Sequence, residues 1–413
     1  MAVVLQNKLS VKRILICGGL IVSLSVGIRH GFGLWLLPIS QEHGWDREVF
    51  SFAMALQNLI WGIVGIFAGM LADRFGAFRI IVAGTICYAL GLLGMAYTTT
   101  PLMFILTSGV IIGVAHSATT YVIVFGLIGR HIDASQRSWA MGVTAATGSF
   151  GQFMMLPVSN TLINLGGWQH ALVILAMLSL VIIPLAFLLR EQIAWVPSSD
   201  GDSNVEKEQG IIEALKEALT YRSYVLLILG YFVCGFQVIF IAVHLPGYLK
   251  DHGLGPEVAS LSLALIGLCN IFGSYVVGSL GQRYEKRYLL MGIYFLRIIF
   301  IGLFLIVPLS PLSVYLFSIS MGFIWLSTVP ATNAIIAHIF GIRHLSMLGG
   351  LAFFSHQVGS FLGVWLGGVF FDKFGSYDLM WGLAVALSVV ATLANWPIVE
   401  RAIDRRQVPA FAS

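Results

Sequence analysis

The chain has 413 residues, of which 58% are hydrophobic and 10% charged, with a formal net charge of +4. Soluble domains carry roughly a quarter charged residues, so an ordinary soluble domain, a disordered chain and a nucleic-acid binder are excluded. The charge is too small to imply a polyanionic partner. A polytopic α-helical membrane protein is what remains.

Lys8, Lys12 and Arg13 precede an apolar run that reaches about Leu37. That is longer than the h-region of a signal peptide, so the run reads as an uncleaved first span. A spanning helix needs about 20 mostly apolar residues. Twelve such segments follow one another at 13–38, 49–71, 79–98, 101–129, 138–164, 168–190, 222–248, 257–281, 287–309, 311–340, 345–371 and 378–398.

Loop charges orient them. With the N-terminus inside, Arg74, Arg79, Arg130, Arg137, Arg190, Arg283, Lys286, Arg287, Arg343, Arg405 and Arg406 fall on the inner side, against only Arg47, Lys250 and Lys373 outside. An even number of spans places both termini in the cytoplasm. The fold class expected is therefore an all-α membrane protein of twelve transmembrane helices.

One inner loop is long and polar, with Ser198–Ser203 at its centre, and Ile211–Leu219 reads as a short amphipathic helix at the inner surface. The chain divides into a six-helix bundle at 1–190, a linker at 191–220, and a second bundle with a short tail at 221–413. Gly69–Leu71 has a counterpart 209 positions later and Gly148–Gly151 one 211 positions later, which suggests an internal duplication. Duplicated bundles place a substrate site near the midplane between the repeats. Glycines at helix-packing spacing (Gly65/Gly69, Gly109/Gly113, Gly359/Gly363/Gly367) predict close helix contacts. Cys17, Cys87, Cys234 and Cys269 lie in apolar stretches without metal-type spacing and read as small buried hydrophobes.

The loop after span 2 reads Gly69-Met-Leu-Ala-Asp73-Arg74-Phe-Gly76-Ala77-Phe78-Arg79. Gly69 allows close helix approach, Gly76 a tight turn, and Asp73 can accept from a helix N-terminus or an arginine. Gly69, Asp73, Arg74, Gly76 and Arg79 are the expected gating residues. This loop closely resembles the cytoplasmic signature of the major facilitator superfamily. It departs from that signature at Ala77 and Phe78, where basic residues are usual. The copy after span 8 has Gln282 in place of the aspartate. The resemblance implies two pseudo-symmetric six-helix halves, alternating access and a monomer.

Gly31-Phe32-Gly33-Leu34-Trp35 leading into His43-Gly44-Trp45-Asp46-Arg47 resembles the bacterial monocarboxylate porter group, which includes oxalate/formate antiporters. That resemblance implies transport of small carboxylates, with a proton or by exchange. Members commonly carry a cation in span 8, where this chain has Asn270 and Ser274.

Charges inside a bilayer are costly and mark function. No acid lies in mid-span, but Arg29 lies in span 1 and Arg297 in span 9. A buried cation needs an anion or many acceptors. A substrate carboxylate held by two parallel hydrogen bonds would serve. Arg29 can alternatively bond Gln57 or Asn58, and Arg297 can tie spans together through backbone carbonyls. His30, Tyr121, Gln152, Gln237, Asn270, Trp325, Phe353 and His356 complete the candidate substrate contacts. Each has interhelical bonding as its alternative role. A coupling proton can ride on His30, His116 or His356, since imidazole changes charge between about pH 5 and 8.

No Walker-type loop, nucleophile–base pair or metal spacing stands out, so neither an enzyme nor a cofactor is expected. The function read from the residues and the resemblance is secondary active transport of small organic anions, monocarboxylates by preference. Proton coupling and a bacterial inner membrane are expected. The alternatives are an oxalate/formate-type exchanger, an efflux carrier for amphipathic metabolites or drugs, and a transporter-like sensor.

Overall fold

The computed structural model describes residues 2–5, 9–191, 193–196, 211–341 and 345–403; the side chains of 2–5, 193–196, Asp73 and residues 134, 135, 138, 211, 212 and 346 are outside the description. Lys8, Ser198–Ser203, Arg343, Arg405 and Arg406 therefore lie outside the described residues.

Eleven described helices are long and apolar enough to cross a bilayer. One of them, Trp139–Phe187, runs 49 residues. Its backbone breaks at Gly167, where φ is 81°. Only glycine adopts that region without strain, and the break turns one run into two crossings, completing twelve. In order they are span 1 Val11–His43, span 2 Arg47–Phe75, span 3 Ala77–Ala96, span 4 Pro101–His131, span 5 134–166, span 6 168–187, span 7 Arg222–Asp251, span 8 Pro256–Leu280, span 9 Lys286–Ile306, span 10 Pro311–Phe340, span 11 Leu345–Phe374 and span 12 Asp378–Asn395. The helix Ile211–Thr220 precedes span 7 and buries Ala214 and Ala218. One short ribbon, absent from the sequence reading, pairs Ala2–Leu5 antiparallel with Ile193–Val196.

Within each half the long contact is the same. Span 1 packs along span 5, and span 7 along span 11. Small residues make this possible: a Cβ on Gly359 or Gly363 would stand 2.0 or 2.2 Å from the carbonyls of Phe232 and Phe236. Gly109 and Gly113 lie against the span 2 backbone, where an added Cβ would stand 3.0 Å from Ala53 O and Gln57 O. Gly65 and Gly69 depart from expectation. Their nearest neighbour is Val122, at 3.9 and 3.4 Å from the added Cβ, which is ordinary van der Waals spacing.

The halves meet where span 2 lies on span 11 and span 5 on span 8. Two glutamines repeat one contact there. Gln152 Nε2 donates to Leu263 O (3.0 Å) and packs against Gly267, while Gln357 Nε2 donates to Asn58 O (2.9 Å) and packs against Gly62. All three pairs of equivalent positions (58/263, 62/267, 152/357) are 205 residues apart. The repeat is therefore real, but its offset at the interface is 205, not the 209 and 211 of the short peptide matches. Tyr88 OH to Ser25 O and Tyr294 OH to Gly230 O repeat a second contact inside each half.

Three spans lose regular helix at depth. Span 1 tightens to a 3₁₀ turn at Phe32–Trp35. Span 4 breaks at Thr120 and span 10 between Phe323 and Thr328. Freed backbone groups inside a membrane must find partners. At the span 10 break, Arg297 donates to Ile324 O and Trp325 O, and Asn270 Oδ1 accepts from Leu326 N.

Candidate functional site

Arg29 stands one turn before the 3₁₀ break in span 1, is 8% exposed, and has His30 as its neighbour. Its Nη2 donates to Asn58 Oδ1, and its guanidinium lies 4.8 Å over the Trp61 ring. Asn58 is held on both sides: Nδ2 donates to Met54 O (2.8 Å), and its carbonyl accepts from Gln357 of the other half. The alternative partner named from sequence is thus present. It does not use up the guanidinium, because the Arg29 Nε is buried with no hydrogen-bond partner. Among the described residues no carboxylate pairs with Arg29.

A small cavity opens on this arginine, between the halves. Arg29, His30, Gln57 and Asn58 are its polar lining. Phe32, Gly33 and Met54 from the N-terminal half and Ile239, Ala242 and Val243 from span 7 supply apolar walls. Gly33 makes the closure possible, since a Cβ there would stand 2.3 Å from Ala242 O. The walls were missed in the sequence because aliphatic residues on an apolar span carry no signal of what they face.

Behind Arg29 lies a buried polar layer. Ser25 Oγ bonds Thr119 Oγ1 (2.7 Å) and His116 Nδ1 (3.3 Å), leaving His116 Nε2 buried without a partner. Trp61 meets His116 and, across the interface, Phe353 edge-to-face at 5.6 Å. Phe353 stacks in turn on His356. Tyr121 packs its hydroxyl over Gly148, where a Cβ would come within 2.0 Å.

The second arginine is placed differently. Arg297 is fully buried and bonds Gln237 Oε1 (2.9 Å), Ile324 O (3.0 Å), Trp325 O (2.7 Å) and Cys234 Sγ (3.4 Å). Gln237 is itself tied to Ala384 O and Ser388 Oγ. Arg297, Gln237 and Trp325 thus form a tie inside the C-terminal half. Gln152 and Asn270 are committed to the interface, Asn270 Nδ2 donating to Ser149 Oγ (2.9 Å). Of the candidate substrate contacts, Arg29 and His30 share the cavity, and Tyr121, Gln152, Gln237, Asn270, Arg297, Trp325, Phe353 and His356 lie outside its lining.

At the inner end, Gly76 has φ of 88°, so the turn after span 2 does depend on glycine. Arg74 and Arg79 are exposed, Arg74 over the ring of Phe75. The turn is held by a residue the sequence reading passed over. Glu191 accepts from Ala77 N (3.0 Å), Arg130 Nε (3.0 Å) and Nη2 (3.1 Å), and His131 Nε2 (2.8 Å). His131 Nδ1 accepts from Leu9 N, which fixes the proton on Nε2. Burial pushes the Glu191 carboxyl up, but the bonds from His131, Arg130 and Ala77 outweigh it and hold the group down at about 2.

At the outer end the halves are latched. Arg47 donates both Nη atoms to Asp251 at 2.7 Å, Nη1 also to Tyr377 OH at 2.9 Å, and its guanidinium lies 3.5 Å from the Phe371 ring centre.

Residues 15–341 match the Major Facilitator Superfamily. The chain is 26% identical over 378 residues to the uncharacterized MFS-type transporter YcxA of Bacillus subtilis, covering 88% of this chain and 90% of that protein. It is 25% identical over 323 residues to monocarboxylate transporter 13 of Bos taurus, covering 76% and 72%. Among solved structures it resembles a bacterial homologue of the human lysosomal transporter Spinster, inward-facing and unoccupied (TM-score 0.69, 16% identity, 93% and 94% covered). It also resembles the nucleoside transporter NupG (TM-score 0.70, 16% identity, 92% and 98% covered). Twelve crossings in two repeated halves, the signature turn and this match over most of the chain agree: the protein belongs to the major facilitator superfamily of membrane transporters.

Proposed function

We propose that this chain is a secondary transporter of small organic anions, with short apolar monocarboxylates as its preferred substrates. The observation that carries the reading is Arg29, a buried guanidinium in a cavity between the halves, with an unpartnered Nε and no paired carboxylate among the described residues. A buried cation without an anion is unfavourable, and a bound carboxylate supplies one. Asn58 Oδ1 holds the guanidinium until the carboxylate replaces it. The apolar walls at Phe32, Met54, Ile239 and Val243 suit a short aliphatic tail. The likeness to monocarboxylate transporter 13 supports the same substrate class.

Transport proceeds by alternating access. The halves 1–190 and 221–413 rock on the paired glutamine contacts, while the segment 191–220 joins them at the inner side. The outer latch at Arg47 and the inner turn at Gly69, Asp73, Arg74, Gly76 and Arg79 open in alternation. The protein works as a monomer in a bacterial inner membrane, taking up anion together with a proton.

The test is uptake of radiolabelled butyrate into proteoliposomes. Wild-type protein accumulates butyrate down an inward proton gradient, and Arg29→Gln reduces uptake at least tenfold. Equal uptake by Arg29→Gln sinks the anion reading. Uptake that needs an internal counter-anion and ignores the proton gradient replaces symport by exchange.

A further inference from the structure

We propose that His30 takes up the proton when an anion occupies Arg29, so that proton and anion bind one site together. This rests on the anion reading and adds the place of the proton. His30 follows Arg29 directly, lines the same cavity, and is 8% exposed. Its Nδ1 is buried without a hydrogen-bond partner. A ring nitrogen in that state is short of a partner until a ligand arrives.

The charges around the imidazole decide when it can be protonated. From its own span it faces Arg29, and from span 4 His116; Tyr88 of span 3 and Tyr121 of span 4 lie near Arg29. Span 2 offers the neutral Gln57 and Asn58, and span 7 only aliphatic side chains. No acid lines the cavity. A second positive charge beside Arg29, away from water, is repelled by the first and poorly solvated. The empty site therefore carries one positive charge. A carboxylate adds a negative charge, and a proton on His30 then restores the net charge of the empty site.

The balance is simple. A carboxylic acid loses its O–H proton, an N–H bond forms on the imidazole, and the carboxylate pairs with Arg29. Release at the other face reverses both steps. Because the two binding events share one site, each strengthens the other by the same factor. The protonated ring also donates a charge-assisted hydrogen bond to the carboxylate.

The experiment is calorimetric titration of butyrate into the full chain in nanodiscs, run in phosphate and in Tris. These buffers differ in ionisation heat, so the difference counts protons. Wild type takes up close to one proton per butyrate, and its affinity falls about tenfold per pH unit on the alkaline side. His30→Asn and His30→Gln, each with a wild-type melting profile, bind butyrate more weakly, with flat pH dependence and no proton uptake. His116→Asn keeps the uptake. If both His30 variants still take up the proton, or His116→Asn loses it, His30 is not the proton's place. If wild type binds no butyrate, or Arg29→Gln binds it equally, the anion reading itself fails.

Discussion

Asp372, at the end of span 11, accepts the backbone N–H of Arg47, the first residue of span 2, at 3.1 Å through one carboxylate oxygen, and that of Glu48 at 2.6 Å through the other. Asp46 is the N-cap residue of that helix but makes no side-chain cap bond. The cap is therefore supplied in trans, by the opposite half. Four orphan amides and the positive end of the macrodipole make a helix start a good seat for a carboxylate. Arg47 adds its bidentate pair with Asp251, so a single residue fastens both halves at the outer end.

Weakening this latch moves the protein toward its outward-open form. Replacing a capping side chain by alanine costs about 1 kcal/mol, so Asp372→Ala raises the open population about fivefold. Amide hydrogen exchange at residues 47–50 reads this directly. Exchange no faster than wild type would show that the latch carries no weight.

The Glu191 carboxyl stands at about 2, against 4.5 for a free glutamate. A group whose folded value is depressed stabilises the fold above the unfolded value, and that contribution is lost as pH falls through the folded one. Wild type should therefore lose stability between about pH 4.5 and 2 beyond what Glu191→Gln loses. At pH 7 the variant should melt below wild type, and the two curves should converge toward pH 2. Parallel melting curves would contradict this account of the cluster with Arg130 and His131.

Gly363→Ala places a Cβ 2.2 Å from Phe236 O, between spans 7 and 11. Backbone cannot yield as a flexible side chain can, so we expect a loss of about 1–3 kcal/mol. Gly292→Ala meets nothing within 4 Å and gains helix propensity. Melting temperatures in one detergent should fall by several degrees for the first and hold or rise for the second.

Arg297 bonds residues of spans 7 and 10. Arg297→Ala leaves the carbonyls of Ile324 and Trp325 and the amide of Gln237 without their donor. Buried groups left unpaired cost about 1–3 kcal/mol each. The expected result is a large fall in melting temperature. In the molecules that do fold, the butyrate KM stays close to wild type. A raised KM at normal stability would return Arg297 to the substrate site.

Composition and periodicity alone carry the class, the twelve crossings and the orientation, because a bilayer admits few solutions: each backbone polar group must be satisfied inside a helix, and each helix must be long enough to cross. Gly76 was legible as a turn after span 2, because positive φ is a local demand of the chain. The two membrane arginines were legible too, as charges where charges are costly.

Their difference was legible in part: Asn58 was named for Arg29 and backbone carbonyls for Arg297, and both contacts are present. What separates Arg29 from Arg297 beyond that is which helix turns toward which. Both leave Nε without a partner, but one guanidinium meets a single amide oxygen beside a cavity, and the other is enclosed by two carbonyls, a glutamine and a thiol. The same holds for the trans cap at Asp372, separated from Arg47 by 325 positions, for the paired glutamines, and for Glu191. Each depends on the relative rotation and depth of packed helices. Those are set by side-chain contacts between spans distant in sequence, and only the tertiary structure decides them.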